Sequence, residues 1–189
     1  IQKGTEMAAS WYCYHQDLDP SNPQDYYLTL NSNSARGNLA DSWGPNKPDT
    51  TTFGDRLLGF SANETALAYV FTPIEGFSSF GKYEGNADPS GEGPFVFTNF
   101  QPSFVLVKYI DSAGQWYIYD YKRSSQNVAY QVLQASNADP ENTSDSNFKM
   151  DILSNGFKLR QTNGPNNTGT YIYAAFARNP FRANGGLAR

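Results

Sequence analysis

The chain of 189 residues is poor in the side chains that carry most enzyme chemistry, with one cysteine, Cys13, and one histidine, His15. A single cysteine closes no internal disulfide, so cysteine usage says nothing about compartment. Cys13 alternates with Tyr12 and Tyr14, which predicts a small buried hydrophobe. His15 follows the same aromatic run with no serine or cysteine signature beside it, and is expected to be a polar residue at a strand end rather than a catalytic base. Charge is scarce as well: 17% of residues are charged, the net charge is −4 and the isoelectric point is near 4.9, which argues against a nucleic-acid surface, since that requires a basic face. No apolar run approaches the roughly 20 residues that span a bilayer as a helix, so membrane insertion by a helix is not expected. Convincing amphipathic helical periodicity is also missing.

What is present is aromatic and turn-forming. Hydrophobic residues make up 39% and aromatic residues 15%, enough for a sizeable core in one large or two small domains. The densest stretch is 93–123, where Phe95 and Phe97, then Phe104–Val107, then Trp116–Tyr119 form three short runs rich in aromatic and β-branched residues. Asn and Pro clusters separate the first two, and Asp-Ser-Ala-Gly at 111–114 separates the last two, with Gly114 expected at a positive φ. Further strands are predicted at 11–15, 26–30, 51–60 (broken at Gly54), 65–71, 148–153, 156–160 and 170–176, with Asn155-Gly156 as a hairpin signal; residues 77–83 lead from the first copy into the second. Residues 128–133 fit a strand or a short helix. The polar stretch 31–49, containing Trp43-Gly-Pro, reads as a long excursion of the kind that often carries function. Many short strands with regular turns indicate an all-β chain, an antiparallel sandwich or jelly roll.

The stretch also recurs. Ile1, Lys3, Ala8, Trp11, Tyr12, Tyr14 and Leu28 match Leu106, Lys108, Ala113, Trp116, Tyr117, Tyr119 and Leu133 at one offset (116 − 11 = 105), and Phe71 falls on Phe176. Between these anchors the register wanders: Thr52-Phe53-Gly54 lies near Asn155-Gly156-Phe157, and Asn63-Glu64-Thr65 near Asn167–Thr170. We expect two tandem sandwich repeats, 1–79 and 80–189, of which the first lacks its opening strands. A sheet without those strands exposes an edge, and we expect upstream residues, or alternatively another chain, to complete it.

The series Phe100, Pro102, Phe104-Val105, Lys108, Trp116, Ile118-Tyr119-Asp120, Arg123, Leu133, Asn137-Ala138-Asp139, Asn155-Gly156-Phe157, Leu159, Asn166, Gly169, Tyr171, Tyr173 and Phe176-Ala177 resembles the concanavalin-like (laminin-G-type) sandwich modules of tailed-bacteriophage virion proteins. The ending, Asn-Pro-Phe followed by Ala-Arg, is similar to the C-terminus of such proteins in marine phages. The first copy departs from the pattern, with Asp17-Leu18-Asp19 in place of the Asp-x-x-Arg step. The resemblance implies a non-enzymatic virion part of tail-fibre or spike type, homo-oligomeric and trimeric in such fibres, in contact with other virion proteins and engaged in host attachment. A secreted carbohydrate-binding module and a capsid decoration or head-fibre protein are the alternatives.

Related sandwiches include glucanases, but Glu84, Glu92 and Glu141 lie in Gly- or Asn-rich loops and give no strand-borne carboxylate pair. Sugar binding without hydrolysis is the simpler expectation: Trp43 in its Gly-Pro loop and Tyr26, Tyr27 and Tyr121 at strand ends are the candidate glycan-stacking faces, against the competing use of aromatics in core and cross-strand pairs. Asp17, Asp19 and Asp25, and separately Asp139, Glu141 and Asp145, are weak candidates for Ca²⁺, since neither set has the donor spacing of a calcium loop. No other cofactor is expected.

Overall fold

The computed structural model describes residues 1–4, 10–54, 56–58, 65–144 and 147–180. Ala8, Phe60, Asn63, Glu64, Asp145 and the Gly-rich tail 182–189, all used in the sequence reading, lie outside the described residues. The chain is all-β; among the described residues three short 3-10 turns accompany the strands. These strands are β1 (Gln2–Gly4), β2 (Tyr12–Cys13), β3 (Tyr26–Thr29), β4 (Gly37–Asn38), β5 (Ala66–Ala68), β6 (Ser78–Gly85), β7 (Phe95–Phe97), β8 (Pro102–Tyr109), β9 (Trp116–Asp120), β10 (Val132–Gln134), β11 (Met150–Leu153), β12 (Gly156–Leu159) and β13 (Gly169–Ala177). They form three antiparallel sheets, ordered β4-β3-β2-β1-β5, β10-β9-β8-β13-β6 and β11-β12-β7.

The sheet ending in β6 is central, and alternation along its strands sends side chains to two different cores. Val105, Val107, Tyr117, Tyr119, Tyr171 and Tyr173 point to one side, where Val96, Met150, Phe157 and Leu159 of the three-stranded sheet meet them. Leu106, Trp116 and Ile172 point to the other side, where Cys13, Leu28 and Leu18 of the N-terminal region cover them. Both faces of β8, β9 and β13 are therefore covered, while on β6 Lys82 and Glu84 stay exposed. The first core is built on rings: Tyr83 and Tyr171 stack at 5.0 Å with planes 5° apart, and Phe157 sits edge-on to Tyr83 and Tyr173. Two of the buried phenols end on backbone carbonyls, Tyr83 on that of Pro165 (2.7 Å) and Tyr119 on that of Phe148 (2.9 Å).

Pairing in the N-terminal and central sheets follows one numerical rule. Gln2 faces Tyr12, and Val107 faces Tyr117; Tyr12 faces Thr29, and Tyr117 faces Gln134. Lys3 faces Leu67, and Lys108 faces Ile172. In each case the second pair lies 105 residues beyond the first (107 − 2, 117 − 12, 134 − 29, 172 − 67). The strand orders β3-β2-β1-β5 and β10-β9-β8-β13 correspond in the same way. The surroundings of the corresponding tryptophans differ, which counts against two equivalent copies: Trp116 is buried and donates from Nε1 to the Thr29 carbonyl (2.9 Å), while Trp11 is half-buried with its ring 6.1 Å from that of Tyr69.

Several local expectations need correction. Residues 51–54 are not a strand: Gly54 donates to the Trp43 carbonyl, a Cβ there would lie 2.4 Å from the Gly44 nitrogen, and a 3-10 turn, Arg56–Leu58, follows. The excursion 31–49 contributes a strand, β4, which pairs with β3. Of the two alternatives for 128–133 the extended one holds, since Ala129 bridges to Met150 and β10 begins at Val132. Gly114 has no positive φ; what it supplies is room, because a Cβ would lie 3.0 Å from that of Tyr109. The hairpin expected at Asn155-Gly156 does form, with Ser154-Asn155 as its loop and Gly156 as the first residue of β12, where a Cβ would lie 2.1 Å from the Val96 oxygen.

Candidate functional site

The four aromatic residues proposed as glycan faces do not converge. Trp43 is 2% exposed, donates from Nε1 to the Tyr26 carbonyl (2.9 Å) and meets Tyr14 edge-on, so it has no free ring face. The loop holding it folds onto the sheet instead of standing off it. Tyr26 and Tyr27, neighbours on β3, point to opposite sides. Tyr26 packs beside the second core with the Arg36 guanidinium 5.1 Å from its ring, and Tyr27 is edge-on to Tyr12 and fills the space beside Gly37. These three are structural contacts.

Tyr121 is different. It is the first residue after β9, held by its N–H on the Ser103 carbonyl (2.8 Å), and it stands at the rim of the central sheet where β9, β8 and the end of β13 lie side by side. Arg178, just past β13, is anchored by its own N–H on the Gln101 carbonyl (2.8 Å). Its guanidinium carbon lies 3.7 Å from the Tyr121 ring centroid, and Nη2 bonds the phenol oxygen. The Lys122 ammonium stands 5.5 Å from the same centroid. The turn is held by Asp120, whose Oδ1 accepts from the Lys122 N–H (2.6 Å) and whose carbonyl accepts from Arg123 and Ser124.

On one side of the Tyr121–Arg178 stack is an open cleft of about 450 Å³ whose walls include Ser103, Asp120, Lys122 and Asn179. On the other side is a smaller one of about 100 Å³ bordered by Gln101, Ser124, Ser125 and Asn127. A planar aromatic-guanidinium surface flanked by hydroxyl and amide groups and the Lys122 ammonium can stack on a sugar ring and hold an anionic substituent. Arg178 and Lys122 escaped the sequence reading. Lys122 adjoins Tyr121 in the Asp-Tyr-Lys-Arg run, but nothing local announces that Arg178 comes to rest 57 positions away from its partner.

The other candidates are dispersed. Asp19 Oδ1 accepts from the N–H groups of Asn22 (2.8 Å) and Ser21 (2.9 Å), which hold its carboxyl below the usual range. Asp25 Oδ1 accepts from the Asp41 N–H, and Asp17 sits beside His15. Asp139 accepts from the Asn137 amide. Among the described residues no three metal-ligating side chains gather. Glu92 is tied to Lys158 and Arg160, and Arg160 also holds Asp151 (2.6 Å), while Glu84 Oε2 accepts from the Thr170 hydroxyl. Cys13 is buried, which pushes its thiol up to about 12. His15 accepts the Asp17 N–H at Nδ1 (3.1 Å), so the imidazole is neutral with its hydrogen on the buried Nε2. Burial lowers its pKa, with Asp17 opposing.

No curated protein and no solved structure matches the chain. Residues 1–180 match the family described as a domain of unknown function (DUF7483), and the chain belongs to that family.

Proposed function

We propose that the chain is a non-enzymatic virion module of tail-fibre or spike type, two editions of one sandwich unit in tandem, which attaches to a host-surface glycan bearing an acidic group. The tandem reading is supported by the shared strand order and the constant 105-residue offset between the two sets of strand partners. The virion reading is supported by the phage-module motif series and by a surface of low charge. The observation that carries attachment is the Tyr121–Arg178 stack at the mouth of the cleft, with Lys122 beside it. Stacking orients a pyranose face, and the two cations favour a carboxylate-bearing sugar over a neutral one. Partner subunits and other virion proteins complete this picture, with the protein residing on the particle.

The test has two arms. Mass spectrometry of purified particles should find the chain, and a glycan array probed with the whole protein should give signals that favour uronic or sialic acids. Tyr121→Ala and Arg178→Ala should each lower those signals at least tenfold while leaving thermal unfolding cooperative. Signals that survive both substitutions, or a chain found free in the cytoplasm, would overturn the proposal. Binding restricted to neutral glycans outside particles would favour a secreted carbohydrate-binding module.

A further inference from the structure

In the central sheet β13 is paired on both sides, by β8 and by β6. Its counterpart in the N-terminal sheet, β5, is paired on one side only, by β1, and ends the sheet. The direction of the unused groups can be read from the ladder. Tyr69 and Ile1 exchange both backbone bonds (2.8 and 3.0 Å), so odd-numbered residues of this stretch address β1. The N–H and C=O groups of Ala66, Ala68 and Val70 therefore face outward, with no partner among the described residues. The side chains alongside are apolar and open: Leu67 is 44% exposed, Tyr69 51%, Val70 73% and Phe71 54%. From Thr65 to Ile74 there is no charge to deter pairing, and Pro73 comes only after the edge has ended.

We propose that this edge is a strand-acceptor site, filled by an extended antiparallel segment of the same chemistry as β6, with small residues and an aromatic on one face (Ser79, Gly81 and Tyr83 in β6) and Phe80 beside charged residues on the other. The central sheet shows what occupies the equivalent place: Tyr83, Lys82 and Gly81 of β6 face Tyr171, Ile172 and Tyr173. Subtracting the common offset of 105 places the incoming strand opposite Ala66, Leu67 and Ala68. The far end of the slot is already bounded, because Phe71 packs edge-on to Phe176 (5.8 Å) and lies 6.3 Å from Phe80, so the acceptor continues an existing aromatic cluster. Backbone bonds give such strand addition its affinity, and the alternating pockets give it selectivity.

The experiment fuses a copy of residues 78–85 ahead of Ile1 through a flexible linker of about sixteen residues, the separation of β6 from β8, which holds the segment at an effective concentration near the millimolar range. Amide exchange is read by NMR against the unfused chain. The expected result is at least tenfold slower exchange at Ala66, Ala68 and Val70, with little change at Leu67 and Tyr69, and loss of that protection in a fusion whose segment carries prolines at alternate positions. The free peptide added in trans should shift the same amides if a fusion misfolds. Unchanged exchange with a folded fusion and with saturating peptide would overturn the proposal. So would protection of these amides in the unfused chain that grows with its concentration, since two β5 edges would then be pairing with each other.

Discussion

Replacing Lys108 with methionine tests how the two sheets that meet between the N-terminal and central regions are held. Lys108 is 0% exposed; its ammonium donates to the carbonyls of Gly114 (2.7 Å) and Asn33 (3.3 Å). Burial lowers its pKa from 10.5 to about 8. One pKa unit corresponds to about 1.4 kcal/mol, so keeping this ammonium charged at neutral pH costs the fold about 3 kcal/mol. The folded-state value lies below the unfolded one, so between about pH 8 and pH 10.5 the unfolded chain holds more protons and stability rises with pH. Integrated from about pH 7 to about pH 9.5, the gain from this one group is about 2 kcal/mol. Lys108→Met relieves the cost of the buried charge, while the two carbonyls it strands each cost about 1–3 kcal/mol, so the net effect at neutral pH runs from a gain of about 1 to a loss of about 3 kcal/mol. The slope is thus the diagnostic. Urea unfolding followed by tryptophan fluorescence at a series of pH values should show the wild-type stability climbing relative to the variant by about 2 kcal/mol. Subtracting the variant removes other groups that titrate in the same window, the Cys13 thiol among them. Parallel pH profiles for the two proteins would refute a buried charged Lys108.

Three further outcomes follow from contacts described above. His15 is buried with its pKa lowered, so the unfolded chain protonates first and stability falls as pH drops below about 6.5; His15→Gln should flatten that decline in urea midpoints measured at about pH 5.5 and 7.5. Trp116→Ala removes a buried indole at the junction of two sheets and should cost about 3–5 kcal/mol by denaturant titration, whereas Trp116→Phe keeps most of the packing and loses the bond to Thr29, costing about 1–2 kcal/mol. Gly156→Ala would place a methyl 2.1 Å from the Val96 oxygen, so β12 must separate from β7; a thermal scan should show a loss well beyond the roughly 1 kcal/mol by which alanine and glycine differ in ordinary positions, while Asn155→Ala in the adjoining loop stays close to wild type.

Strand positions were legible because alternation of aromatic and polar residues is a local property. The all-β class followed from it, and β8, β9, β11, β12 and β13 lie where the runs of Phe, Val, Tyr and Ile place them. Which face of a strand meets which neighbour was not legible, since that depends on residues far away in the chain. Lys108 looks like any lysine on a half-exposed strand until the N-terminal sheet is laid over it. Trp43 failed as a candidate for a related reason: a tryptophan in a Gly-Pro loop reads as exposed, yet the loop turns back and Gly54 closes over it. Tyr121 was legible as a strand-end aromatic, but its partner Arg178 is set by the order of β9, β8 and β13 across the sheet.

Trp43 and Ser42 are sealed against the sheet, at 2% and 0% exposure, while 45–47 and 49–53 stand clear of it. The excursion thus has a fixed root and an outlying tip, joined where Gly54 meets the Trp43 carbonyl. Foreign sequence spliced between Lys47 and Thr52 would hang from a finished scaffold, whereas the same insert two or three positions earlier would pry out the indole that caps Tyr14. Natural variation in loop length, and any engineered display epitope, belongs at that tip.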